Sequence, residues 1–127
     1  TEQSFFEGLK YAHPGNRLSD ISHAIEMYAK KFNYGVVRDF TGHGVGSKLH
    51  EDPAVPNYGK EGMGPVLRKG MTLAIEPMIN MGTYKVKILA DGWTTITSDH
   101  SPSAHYENSI VITDNGYEIL TKIKEND

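Results

Sequence analysis

Residues 67–80 read LRKGMTLAIEPMIN, and within them Met71, Leu73, Ile75, Met78 and Ile79 surround a single carboxylate, Glu76. The apolar, β-rich character of residues 71–79 predicts a strand. An unpaired carboxylate inside such a strand is costly to bury. Glu76 therefore either has a partner or sits at a strand end facing solvent beside Pro77.

Working outward from this stretch, residues 83–89, 93–97, 103–113 and 117–121 read as further strands, with Asp91-Gly92 and Asn115-Gly116 supplying tight-turn chemistry. Upstream, residues 4–10 carry Phe5, Phe6 and Leu9 at helical spacing, and the helix must stop before His13 because Pro14 disfavours the helical basin there. Ser19 can cap a second helix, in which Ile21, Ala24, Ile25, Tyr28, Ala29 and Phe32 recur at three- and four-residue steps before Asn33 and Gly35 end it. Val36, Val37 and Phe40 form a short β-rich run, and residues 41–70, dense in Gly and Pro, predict loop. Two helices followed by an antiparallel sheet is an α+β order. No repeat, low-complexity segment or linker divides the 127 residues, which read as a single unit.

Composition narrows the function. Thirteen Lys and Arg against sixteen Asp and Glu leave a net charge of -3 with no basic run to track a phosphate backbone, so nucleic acid is not expected as a partner. No apolar run approaches the ~18–20 residues of a membrane span. The absence of Cys excludes disulfides, thiolate metal sites and cysteine nucleophiles, and suits a reducing, cytoplasmic compartment. Thr1 opens into a helix-like segment without a basic-then-apolar secretory pattern, although a leader removed earlier would leave no trace. Any metal must rest on His and carboxylates.

His43 lies between glycines in GHGVG (42–46), with His50 seven residues on. A histidine in such a loop is more often a surface or hydrogen-bonded residue than a ligand, and the second histidine changes that little. Glu107, in YENSIVIT (106–113), repeats the situation of Glu76 by preceding Ile110, Val111 and Ile112, and it too can be an exposed edge residue. Taken together, one imidazole and two carboxylates on neighbouring strands and a rigid loop form a donor set suited to Mn²⁺, Fe²⁺, Co²⁺ or Zn²⁺. His13, His23, His100 and His105 show no comparable spacing, and the first three read as surface residues.

The strings GHGVGSKLHEDPAVPNYG (42–59), LRKGMTLAIEPMIN (67–80), DGWTTITSDHSPSAHYENSIVIT (91–113) and GYEILT (116–121) resemble the type I methionine aminopeptidases, and HPGNRLSDISHAIEMYAKKFNYGVVRDF (13–40) is similar to the helix leading into that family's histidine loop. The four strings in order are far more specific than any one alone. The resemblance implies half of a pita-bread fold and a metal-dependent aminopeptidase that removes N-terminal methionine from nascent proteins, by attack of a metal-bound hydroxide on the first peptide bond. It also implies that His43, Glu76 and Glu107 are metal ligands, with Glu107 bridging two divalent ions. Glu76 would pass a proton to the leaving amine, His50 would meet the substrate carbonyl or amide, and Trp93 and Leu49 would border the methionine pocket.

Departures from the family pattern qualify this expectation. The family's two upstream metal-binding aspartates have no counterpart, since only Asp20 and Asp39 precede His43 and neither stands in a similar context. The chain therefore resembles the C-terminal half of the catalytic domain, bringing three of five ligands. By itself it is expected to hold at most one ion weakly, and to need the N-terminal half as a partner for turnover. His105 and Asn108 replace the usual Gln and His around the bridging glutamate, and Leu49 replaces an aromatic residue common in the family, which alters ligand orientation and pocket shape. Two other readings remain. An Xaa-Pro dipeptidase shares the histidine loop and both glutamates, whereas PNYG (56–59) and IEPMI (75–79) favour the methionine enzyme. A non-catalytic peptide-binding module would explain the missing aspartates but not the retention of three buried ionisable groups.

Overall fold

In the computed structural model, which describes residues 1–122, two helices precede ten short strands. Helix α1 (Glu2–Leu9) and helix α2 (Leu18–Lys30) place Phe5, Leu9, Leu18, Ile21 and Ile25 on facing sides. The expected helices are thus present, with one change of detail. Ser19 lies inside the first turn of α2, where its Oγ accepts from the Met63 N–H at 2.6 Å. Asp20 closes that turn instead, accepting the Arg17 N–H at 2.8 Å, a carboxylate at the positive end of the helix dipole.

The strands form three antiparallel sheets where one was expected. The largest has the order β10 (Tyr117–Ile119), β9 (Asn108–Ile112), β4 (Thr72–Ile75), β2 (Gly42–Gly44) and β3 (Glu51–Val55). A second is ordered β1 (Gly35–Val36), β5 (Met78–Asn80) and β8 (Ser103–His105). The third is the hairpin of β6 (Val86–Ile88) and β7 (Thr95–Thr97), closed by the expected turn with Gly92 at φ 83°. Leu73, Ile75, Ile110, Ile112 and Val55 point from the five-stranded sheet into one core with the two helices. The opposite face is left for chemistry.

Two expectations are corrected. The continuous strand over residues 71–79 is broken into β4 and β5 at Glu76-Pro77, because Pro77 has no N–H to extend the ladder. The strand over residues 103–113 breaks at the same level, between β8 and β9. Ile75 is opposite Asn108 and Met78 opposite His105, so the paired strands leave the large sheet together and enter the small one together. Tyr106 N–H bonds to the Pro77 carbonyl at 3.1 Å across the gap.

Residues 41–70 are not all loop, since β2 and β3 lie within them. Two of the glycines that suggested a loop are strand residues at points of close backbone approach: a Cβ on Gly42 would collide with the Ala74 carbonyl oxygen, and one on Gly44 with that of Asp52. Gly42→Ala should therefore lower stability by about 1–3 kcal/mol, the usual scale of overpacking. Gly116→Ala, with open space around the added methyl, should stay within about 0.5 kcal/mol. Urea unfolding of both variants checks this; equal midpoints would mean that β2 can shift without cost.

Candidate metal centre

His43 is opposite Ala74 on one side and Ala54 on the other, and Ala74 is opposite Ser109. Directly opposed residues in antiparallel pairs share a face, so His43 stands among small side chains on the sheet face away from the helices. Glu76 follows Ile75 and Glu107 precedes Asn108, at the two strand breaks. The alternation of the pleat sends both carboxylates toward the same open face.

The three residues converge. His43, Glu76 and Glu107 can each offer a ligand atom within 4.8 Å of the others. His43 Nε2 lies 3.3 Å from Glu76 Oε2, and both side chains are only 14% exposed. His43 Nδ1 lies 3.0 Å from the Gly44 carbonyl oxygen, which fixes the ring proton on Nδ1 and turns the Nε2 lone pair toward Glu76. Two acceptors then face each other unless a proton or a cation lies between them.

Glu76 registers that conflict. Burial first, and then the neighbouring Glu107 charge, push its carboxyl up from the ordinary 4.5 to about 7, against a smaller opposing pull from His43. A divalent ion coordinated by His43 Nε2, Glu76 and Glu107 would remove both causes of repulsion at once. Nitrogen and carboxylate donors of this kind fit Zn²⁺, Mn²⁺, Fe²⁺ or Co²⁺.

Around this cluster the other expected residues divide. The His50 ring centroid is 4.2 Å from that of His43, the planes tilted by 47°. Both histidines line an open cleft of about 620 Å³ together with Thr41, Lys48 and Asp52. Leu49, 74% exposed, and Trp93, 82% exposed on the β6–β7 turn, lie outside that lining. Asp20 is engaged in the α2 cap, and Asp39 is exposed.

Three side chains matter more than the sequence indicated. His105 Nε2 lies 3.7 Å from Glu107 Oε2; its spacing of two residues from Glu107 along extended chain was the available signal. His23 is not a surface residue, being half-buried with Nδ1 2.9 Å from the Gly59 carbonyl. His13 is likewise half-buried, against Pro14 and Asn16, while His100 is exposed as expected. Asn57 is fully buried and bonds the Glu76 carbonyl, a contact that an Asn in a Gly- and Pro-rich stretch does not announce.

Comparison with known proteins agrees with this geometry. The sequence profile of metallopeptidase family M24 matches residues 1–114. A curated methionine aminopeptidase of Clostridium perfringens is 59% identical over 98% of this chain and 50% of its own length. The crystal structure of methionine aminopeptidase from Thermotoga maritima superposes with a TM-score of 0.94 at 52% identity, covering 97% of this chain and 49% of that one. Prolidase from Pyrococcus furiosus is more distant, with a TM-score of 0.68 at 25% identity over 98% of this chain and 31% of that one. The chain spans about half the length of the curated relatives it matches.

The raised Glu76 carboxyl has a consequence for the metal-free protein. A group whose pKa is higher folded than unfolded favours the fold fully below its unfolded value, and this contribution is lost as pH rises through the folded value. Glu76 should therefore make the metal-free chain less stable between pH 4.5 and about 7. Glu76→Gln should flatten that part of the profile and leave the metal-free chain as stable or more stable at pH 7.5. Urea midpoints of both chains after chelator treatment test this, and superimposable pH profiles would mean that Glu76 ionises as freely in the fold as outside it.

Proposed function

The chain belongs to metallopeptidase family M24, and on that premise we propose that it carries part of the metal centre of an aminopeptidase that removes N-terminal methionine from proteins. The observation that supports this most directly is the convergence of His43, Glu76 and Glu107 within 4.8 Å on the open sheet face. His43 and Glu76 would each give a donor to one divalent ion, and Glu107 would serve as a ligand shared with a second. The remaining donors, two further carboxylates, come from a complementary half that docks on this one. Its substrates are the free N-termini of newly made polypeptides, with no role for nucleic acid or membrane. No described helix is long and apolar enough to cross a membrane.

When bound, Mn²⁺, Fe²⁺, Co²⁺ or Zn²⁺ supplies Lewis acidity and a means of ionising water near neutral pH. The chain's own groups do the rest. Glu76, its carboxylate beside His43 and Glu107 on the open sheet face, is placed to accept a proton and return it to the departing amine. His50, its ring beside that of His43, reaches the oxygen of the scissile amide from within the cleft. Trp93 and Leu49 are exposed apolar groups that border the methionine side chain once the complementary half closes over them. The greater similarity to methionine aminopeptidases, at 46–59% identity, than to the prolidase at 25% supports this substrate class.

The chain joined to the complementary half should release methionine from Met-Ala peptides in the presence of Mn²⁺ or Co²⁺. Glu76→Gln in that complex should slow turnover by about two decades, the scale for loss of a general base. Strong turnover of Xaa-Pro dipeptides without methionine release would overturn the proposal in favour of a dipeptidase. The 127-residue chain alone should bind one divalent ion weakly and turn over little or nothing. Met-Ala hydrolysis by the purified chain that disappears in His43→Ala would contradict this.

A further inference from the structure

Glu76 occupies the gap between β4 and β5, so its backbone carbonyl has no strand partner of the ordinary kind. That oxygen accepts a hydrogen bond from Asn57 Nδ2 at 3.3 Å. Asn57 is 0% exposed, and its Oδ1 has no partner among the described residues. Rotating the amide by half a turn would set Oδ1 against the Glu76 carbonyl oxygen, two acceptors in contact, so the bond to Glu76 dictates the orientation. The fold thus keeps a buried polar group half satisfied, and the half it satisfies belongs to the backbone of Glu76.

The loop bearing Asn57 is itself held. The Gly59 carbonyl lies 2.9 Å from His23 Nδ1, and the Gly59 N–H donates to Glu26 Oε1 at 3.4 Å. Both side chains project from α2, whose Ile21 and Ile25 are fixed in the main core. A continuous set of contacts therefore runs from the helix through residues 57–59 to the peptide on which Glu76 is mounted.

We infer that Asn57 is a positioning residue of the metal centre: its bond to the Glu76 carbonyl fixes the backbone at the strand break so that the carboxylate is aimed at His43 and Glu107. The inference rests on the reading of Glu76 as a metal ligand. Pro77 ends the ladder and frees the Glu76 backbone to turn, and Asn57 supplies the constraint that the ladder no longer gives. Supports of this kind typically alter metal affinity by about 10- to 100-fold.

A matched control exists within the chain. Asn80 is also 0% exposed, its Oδ1 without a partner among the described residues, but its Nδ2 donates to the Thr83 carbonyl at 2.9 Å, outside the candidate metal cluster. Asn57→Leu and Asn80→Leu should both change the urea midpoint of the 127-residue chain. Only Asn57→Leu should weaken Co²⁺ binding by about 10- to 100-fold and alter the visible spectrum of the Co²⁺ complex; Asn80→Leu should bind within about twofold of the parent. If Asn57→Leu does not fold, Asn57→Asp keeps the shape while replacing the donor, and the same loss is expected. Without metal, nuclear Overhauser contacts between the His43 ring and the Glu76 side chain should disappear in the Asn57 variant and persist in the Asn80 variant. Equal Co²⁺ affinities for the two variants, or unchanged His43–Glu76 contacts in Asn57→Leu, would overturn the inference. Failure of the parent chain to bind Co²⁺ would instead count against Glu76 as a ligand, and the metal-free contacts would still decide the role of Asn57.

Discussion

The Tyr106 N–H donates to the Pro77 carbonyl at 3.1 Å, at the level where two adjacent strands pass from one sheet into another. Pro77 cannot return the bond, so the ladder is interrupted on one side while the strands stay paired above and below it. Two residues next to this interruption, Glu76 and Glu107, keep the alternation of the strands they adjoin, Ile75 and Ile110 facing the core and the two carboxylates the other way. Their carboxylates can therefore approach each other on the open face of the larger sheet. Displacing either strand by one residue would send its carboxylate to the helix-covered face, where no partner awaits it.

The register is secured some distance from the chemistry. Leu73 and Ile110 are opposed in the sheet, and both belong to the cluster that Phe5, Leu9, Ile21 and Ile25 complete from the helices. Burial of these side chains supplies the driving force for folding, and the same packing fixes β4 against β9 and hence the separation of the two glutamates. β2 is drawn against β4 by the close approach that Gly42 permits, bringing His43 opposite Ala74. The three converging donors are arranged by backbone pairing and by a core on the other face. This lets the open face remain polar.

Much of this was legible in the sequence, for identifiable reasons. The helix of residues 18–30 follows from its apolar period, and the anomaly of Glu76 within MTLAIEPMI calls for either a partner or a strand end facing solvent, because an isolated carboxylate there is expensive to bury. What sequence could not give was long-range. The strand identity of Gly42 to Gly44 was hidden because glycine reads locally as loop, while its reason here is a carbonyl from residue 74. The split into separate sheets was hidden because Pro77 marks an interruption but not where the chain goes afterwards. His23 and Asn57 read as ordinary polar residues since their partners, Gly59 and Glu76, lie 36 and 19 residues away.

The electrostatics explain why such a face is poised for a cation. A fully ionised Glu76 and Glu107 beside a neutral imidazole leave negative charge in a partly buried place, and the fold responds by holding on to a proton at Glu76 up to about pH 7. A proton relieves one carboxylate only, and it satisfies His43 Nε2 or Glu107 but not both. A divalent ion held by all three donors together would replace that proton, so metal binding and proton release from Glu76 would be linked. Because such an ion would bind the folded arrangement and not the separated donors of the unfolded chain, its binding energy would also add to the stability of the strand junction. The break at Pro77 thus interrupts the bare sheet at the place where a bound cation would strengthen it.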